Sequence, residues 1–354
     1  MRRNSLIDGL KVIASQLIVW HHLSAYGPLS DVWDVSATLS SDWFFEYGRM
    51  AVQLFLVIGG FLAARALTRQ AYLKASDAAS LVVRRYFRLA LPLLAALAIA
   101  IPSSMLARYW ATFQFFPAAP TWGQFWSHVL LIQTITGDKS LSAGVWYIAI
   151  DFQLYILIVV LAWLGGGLLR WGVAGVMLAS LLHFNRSSDL DNWGIYFFGA
   201  YGLGALAYWA ASYRRPMVQL GLLGLIVVVT LVVDFRGRIA LAGCIAVLLG
   251  WFQSRDRSQL AVLSMPPALA RALAVWGDRS YALFLVHFSV VMLANAVYSR
   301  LEWDSTAGAT CAIMGCWAMS MGLSVIFERW VERPLNRLQS RVYHRSKTTQ
   351  PSFL

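Results

Sequence analysis

Long apolar runs recur along the chain, separated by short polar breaks. Runs near 20 residues match what a helix needs to cross the hydrocarbon core of a bilayer. The pattern predicts ten spans, at about 6–26, 48–68, 87–107, 144–164, 168–184, 193–212, 217–234, 237–253, 276–298 and 306–328. The fold class is therefore all-α, a polytopic membrane protein with about ten transmembrane helices. The segment 122–136, WGQFWSHVLLIQTIT, is too short and polar for a span and reads as interfacial or re-entrant. No internal repeat or low-complexity segment interrupts the series.

Composition agrees with this pattern. The chain of 354 residues is 59% hydrophobic and only 13% charged, where a soluble domain carries about twice that charged fraction. There is little room for a separate soluble domain. The 16 Trp and 14 Tyr cluster at the ends of apolar runs, as interfacial belts do. The net charge of +12 is not a nucleic-acid signal, because the basic residues sit in short loops where they set orientation. Cys244, Cys311 and Cys316 lie inside apolar runs, which argues against a disulfide framework or a zinc site. The head MRRN followed by an apolar run is similar to a signal peptide. Asp8, Lys11 and a histidine pair interrupt that run, so it reads as an uncleaved first helix.

Loop charges orient the chain. One set of loops holds Arg2 and Arg3, then Arg69, Lys74, Arg84, Arg85 and Arg88, then Arg170, Arg214, Arg215, Arg255, Arg257 and Arg271. The tail adds Arg329, Arg333, Arg337, Arg341, Arg345 and Lys347. The opposite set is acidic or sparse, with Asp31, Asp34, Asp42, Glu46, Asp189, Asp191, Glu302 and Asp304. The excess of Lys and Arg in cytoplasmic loops puts both termini in the cytoplasm, in agreement with an even span count. The expected division is a membrane domain over 1–334 and a basic, partly disordered tail over 335–354.

The candidate chemistry lies inside the spans, where ionisable groups are costly. Lys11 and His22 are close to three helical turns apart, so they share one face about 16 Å apart along the axis. His21 points about 100° away. Either this face is functional, or Lys11 snorkels and His22 is an interfacial histidine. Asp151, in VWYIAIDFQLYILIVV, needs a partner or a task, and a histidine or an arginine on another helix would serve. Arg85 and Arg88 share a helix face and suit two phosphate or carboxylate oxygens, unless they only fix topology. His287 reads equally as a core or a functional histidine. Arg65 and Glu328 read as snorkelling groups near span ends. His128, His183 and His344 carry no signal.

The motifs in order resemble the membrane-bound acyltransferase 3 family. LIDGLKVIASQLIVWHH is similar to its first helix, L-D-G-L-R-x10-H, with Lys11 on the basic position and His22 on the histidine. LFLVIGGFLAARAL resembles its F-F-V-x-S-G-F-L segment, and RYFR its R-x-x-R, at Arg85 and Arg88. WYIAIDFQLY resembles W-S-L-x-x-E-x-x-F-Y, with Trp146, Asp151 and Tyr155 in place; SYALFLVH and ERPL are similar to its last two helices. The resemblance runs from residue 5 to about 338. Three departures stand out: Lys11 for arginine, Asp151 for glutamate, and Gly59 where the family usually has serine. No hydrolase-like domain follows the last helix, so this chain would have to deliver the acyl group itself.

The resemblance implies transfer of an acyl group, acetyl by preference, from cytoplasmic acyl-coenzyme A to a sugar hydroxyl. That sugar would belong to an exopolysaccharide or other surface glycan, or to its lipid-linked precursor, at a bacterial inner membrane. Lys11, Arg85 and Arg88 would bind the donor. His22 would be the general base or carry the acyl group covalently, and Asp151 would orient it or stabilise its cationic form. Trp146, Tyr155 and His287 are accessory candidates. Acyl-coenzyme A is a co-substrate; no permanent cofactor, metal or nucleic-acid partner is expected. The competing classes are a proton-coupled transporter, against which the two halves lack matching broken helices, and a non-catalytic partner of a polysaccharide assembly complex.

Overall fold

The computed structural model describes residues 5–68, 73–255, 265–301 and 305–348. Of the loop charges, Arg2, Arg3, Arg69, Arg257, Glu302 and Asp304 lie outside the described residues, as do the side chains of His344, Arg345 and Lys347 and residues 349–354. Among the described residues the chain is helical, with no strand. The helices are α1 (Ser5–Ala25), α2 (Pro28–Tyr47), α3 (Ala51–Leu67), α4 (Ala75–Trp110), α5 (Trp122–Val129), α6 (Gln133–Thr136), α7 (Val145–Gly165), α8 (Leu169–Leu182), α9 (Gly194–Ala210), α10 (Pro216–Val233), α11 (Gly237–Ser254), α12 (Pro267–Leu301), α13 (Thr306–Phe327) and α14 (Arg333–Thr348).

Each predicted span has a helix, but the count of ten is approximate. Seven stretches of the described residues are long and apolar enough to cross a membrane. One of them, 145–186, joins α7 and α8. α1 falls below that measure because its polar groups dilute it, and α9 because it has 17 residues. α2 was not expected as a helix. Asp31, Asp34 and Asp42 keep it too polar to look like a span, and it kinks at Ala37 (φ −151°, ψ 53°). α4 starts at Ala75, twelve residues ahead of the predicted edge at 87, so Arg85 and Arg88 stand on a rigid helix. At 36 residues it is about 54 Å long, more than a bilayer core requires. The segment 122–136 forms α5 and α6, with Ser127, His128, Gln133 and Thr134 buried. The basic tail, expected to be partly disordered, continues α13 through a π-helical segment (Glu328–Glu332) into α14.

Two packings set the frame. α1 lies along α12, which also packs on α4. α3 crosses α9 with backbone against backbone. A Cβ on Gly60 would stand 1.8 Å from the Tyr201 carbonyl oxygen, and one on Gly204 would stand 2.0 Å from that of Val57. Small residues replace the hydrophobic driving force that lipid cannot supply between helices. α10 packs on α11 and leaves Leu222, Leu225, Val228, Val229 and Val232 exposed, as a lipid-facing helix does.

Candidate active site

Helix α1 carries Lys11 near one end and His22 near the other, and both ends are held by α12. At the Lys11 end, Gly277 of α12 lets Asp8 approach; a Cβ there would be 3.1 Å from the Asp8 backbone. At the His22 end, Gly27 has φ 84°, a backbone that L side chains rarely adopt, and a Cβ would strike Asn295. The fully buried Asn295 spans this turn. Its Nδ2 donates to Tyr26 O (3.1 Å), and its Oδ1 accepts from Leu29 N (3.1 Å).

His287 is on the same helix, about two turns before Asn295. His22 Nδ1 lies 2.6 Å from His287 Nε2, with the rings parallel to within 4°. His287 Nδ1 lies 2.9 Å from the Leu283 carbonyl oxygen. A carbonyl can only accept, so His287 donates from Nδ1 and keeps a lone pair on Nε2. His22 must then donate from its own Nδ1, which leaves Nε2 of His22 as a free acceptor. No protein group among the described residues pairs with it, and it is not sealed from the adjoining cavity. The pair therefore presents a proton acceptor of fixed tautomer and orientation. His21 lies outside this pair: its Nδ1 is 3.2 Å from Phe44 O, and its Cβ packs on Gly48.

Two cavities enter from opposite ends. One, of about 830 Å³, is lined by His21, His22, Tyr26, Trp146, Tyr147 and Phe284 among others. The second, of about 480 Å³, is lined by Lys11, Arg85, Arg88, Asp151, Tyr281 and Glu332 among others. Tyr147 and Phe284 line both. With Phe55 they form a triangle of rings whose centroids are 5.7, 6.0 and 6.3 Å apart. These rings stand between a cationic chamber and a histidine chamber.

The predicted residues thus divide. Lys11, Arg85, Arg88 and Asp151 share the cationic chamber; His22 and Trp146 face the other. Asp151 does not orient His22. It is paired with Arg85 (2.5 Å), and His287 takes the orienting place. The arginine alternative for a partner of Asp151 is the one observed. Arg85 also lies over the Tyr155 ring, 5.2 Å from its centroid. At Gly59, a Cβ would stand 3.1 Å from the Tyr201 ring and 3.5 Å from Asp151 Oδ1. Tyr201 fills the space in which a serine hydroxyl would meet that carboxylate. Glu328 does not snorkel: it is buried and paired with Arg333 and, at 3.9 Å, with Arg279. The π-helical segment sets Glu328 and Glu332 together into the cationic chamber. Sequence reasoning passed over Phe55, Tyr147 and Phe284, which read as ordinary core aromatics. It also passed over Arg49, Arg236 and Arg238, which line the histidine chamber at the end expected to be acidic or sparse. No cluster of three metal-ligating side chains occurs among the described residues.

The profile of an acyltransferase domain, that of the acyltransferase 3 family, matches residues 4–329, nearly the whole chain. No curated protein and no solved structure matches detectably.

Proposed function

The chain belongs to the acyltransferase 3 family and is a membrane acyltransferase; we propose that its donor is a cytoplasmic acyl-coenzyme A and its acceptor a sugar hydroxyl of a surface glycan. The observation that carries this reading is the meeting of a cationic and a histidine chamber at Tyr147 and Phe284. A coenzyme A thioester is anionic at one end and reactive at the other. Arg85, Arg88 and Lys11 suit the phosphates, and the pantetheine arm reaches past the ring triangle to His22. Lys11 and His22 are about 16 Å apart along α1, comparable with that arm.

In the reaction, His22 Nε2 removes the acceptor hydroxyl proton as the oxygen attacks the thioester carbonyl. The tetrahedral intermediate expels the coenzyme A thiolate, which takes the proton back from His22. His287 accepts from His22 Nδ1–H throughout and holds the ring in place. Trp146, its ring tilted 35° to that of Phe197 at 5.7 Å, offers an apolar face for a sugar ring. Asp151 keeps Arg85 ordered beneath the donor. The orientation that suits this reading has both termini and the cationic chamber on the cytoplasmic side of a bacterial inner membrane. Acetyl is the preferred acyl group, and an exopolysaccharide or its lipid-linked precursor the preferred acceptor.

The test is purified protein given acetyl-coenzyme A with and without glycan. Acceptor-dependent thiol release that needs His22 supports the enzyme. Glycan or proton movement without thiol release would favour a transporter instead.

A further inference from the structure

The chamber holding His22 has a cationic mouth that proton transfer does not need. Arg49, Arg236 and Arg238 line it, against Asp191 as the acidic lining residue. On the orientation proposed above, arginines at this end oppose the usual charge bias of a membrane protein, so orientation does not explain them. Their partners separate them into two kinds. Arg236 is a fixed strut: it donates to Asn185 Oδ1 (2.6 Å) and Leu181 O (2.7 Å), and lies 3.3 Å from Asp234. Arg238 donates once, to the Asn185 backbone (3.1 Å), and lies over the Tyr196 ring at 5.1 Å. The rest of its fork meets no carboxylate among the described residues. Arg49, in the turn between α2 and α3, is exposed, and its side chain makes no hydrogen bond or ion pair among the described residues.

Two guanidinium groups thus face the acceptor chamber with donors to spare. A planar fork matches a carboxylate or a phosphate. We propose that the acceptor is an anionic glycan, whose carboxylate or phosphate is seated on Arg49 and Arg238 while a hydroxyl of the same molecule reaches His22. This rests on the reading that the histidine chamber takes the acceptor. A neutral sugar would leave both charges unmatched as it displaced their water, so the arrangement selects against neutral glycans as well as for acidic ones.

Equilibrium binding to the full chain in lipid nanodiscs tests this without turnover. The probes are tri-galacturonate, the same trisaccharide with its carboxylates reduced to alcohols, and galactose 1-phosphate. One of the anionic probes should bind at least about tenfold tighter than the neutral one, as expected for a charge-assisted contact. Which of them it is separates a uronate from a phosphate-linked acceptor. Arg49→Gln, which removes no side-chain hydrogen bond or ion pair among the described residues, and Arg238→Gln should each weaken the anion about fivefold or more and leave the neutral sugar unchanged. Arg238→Lys should fall between. Equal affinity for charged and neutral probes, absence of binding by all three, or indifference to both glutamine variants overturns the proposal. A protein that transfers acyl groups equally to charged and neutral sugars keeps the catalytic reading and loses this one. A protein that prefers the anion yet never releases thiol keeps an anion site and loses the catalytic reading.

Discussion

Asp151 holds Arg85, not His22: the carboxylate and the guanidinium are 2.5 Å apart at the wall of the cationic chamber. Asp151 is buried, while the Arg85 side chain keeps 24% of its surface open. Removing Asp151 would leave a largely desolvated cation. The Asp151→Asn variant should lose stability by about 3 kcal/mol, the low end for a broken buried pair, and its melting temperature in detergent should show it. Arg85→Met combined with Asp151→Leu should recover much of the melting temperature, since apolar replacement of both partners is often neutral. The same double variant should still fail to bind the donor. Recovery of donor affinity along with stability would make the pair purely structural.

Donor kinetics probe the cationic chamber separately. Arg88→Ala should raise the apparent KM for acyl-coenzyme A by about tenfold or more, the value of a lost charge-assisted contact, with a smaller effect on the acceptor. Unchanged donor kinetics at normal abundance would return Arg88 to a topological role.

The ring triangle separates the chambers, so opening it should cost selectivity. Phe284→Ala removes the ring that packs on both Tyr147 and Phe55. Thiol release without acceptor should rise several-fold as water gains access to the thioester. A variant that only slows the coupled reaction would assign Phe284 to packing.

Much of the fold was legible because apolar runs of span length carry their own signal. All ten predicted spans found helices, with edges off mainly where a polar start hides a helix, as at Ala75–Tyr86 of α4 and over the whole of α2. The register of Lys11 and His22 on one helix follows from spacing alone. The partner of His22 does not: His287 lies 265 positions away and looks like any core histidine until α1 meets α12. Asp151 was legible as needing a partner, but the choice between a histidine and Arg85 depends on how α4 packs on α7. Arg49, Arg236 and Arg238 were hidden by a count that assigned their loops to the acidic side.

His287 should act through His22. His287→Phe preserves ring packing beside His22 and Phe284 but removes the acceptor for His22 Nδ1–H. We expect kcat to fall by about 10²-fold, a cost typical of a misplaced reacting group, with donor KM little changed. An equal fall in kcat and abundance would point to folding rather than positioning.

Transfer of labelled acetyl from acetyl-coenzyme A to glycan in sealed vesicles is the most direct test of the central claim. It compares His22→Ala with His21→Gln at matched membrane abundance. His22 presents an Nε2 positioned by its ring partner His287, whereas His21 on the same chamber wall has no such partner and is engaged with Phe44 O and packed on Gly48. The His22 variant should lose about 10²–10⁴-fold in rate, the usual worth of a general base, and the His21 variant should keep most of its activity. Loss of transfer in His21→Gln with activity retained in His22→Ala would contradict the account.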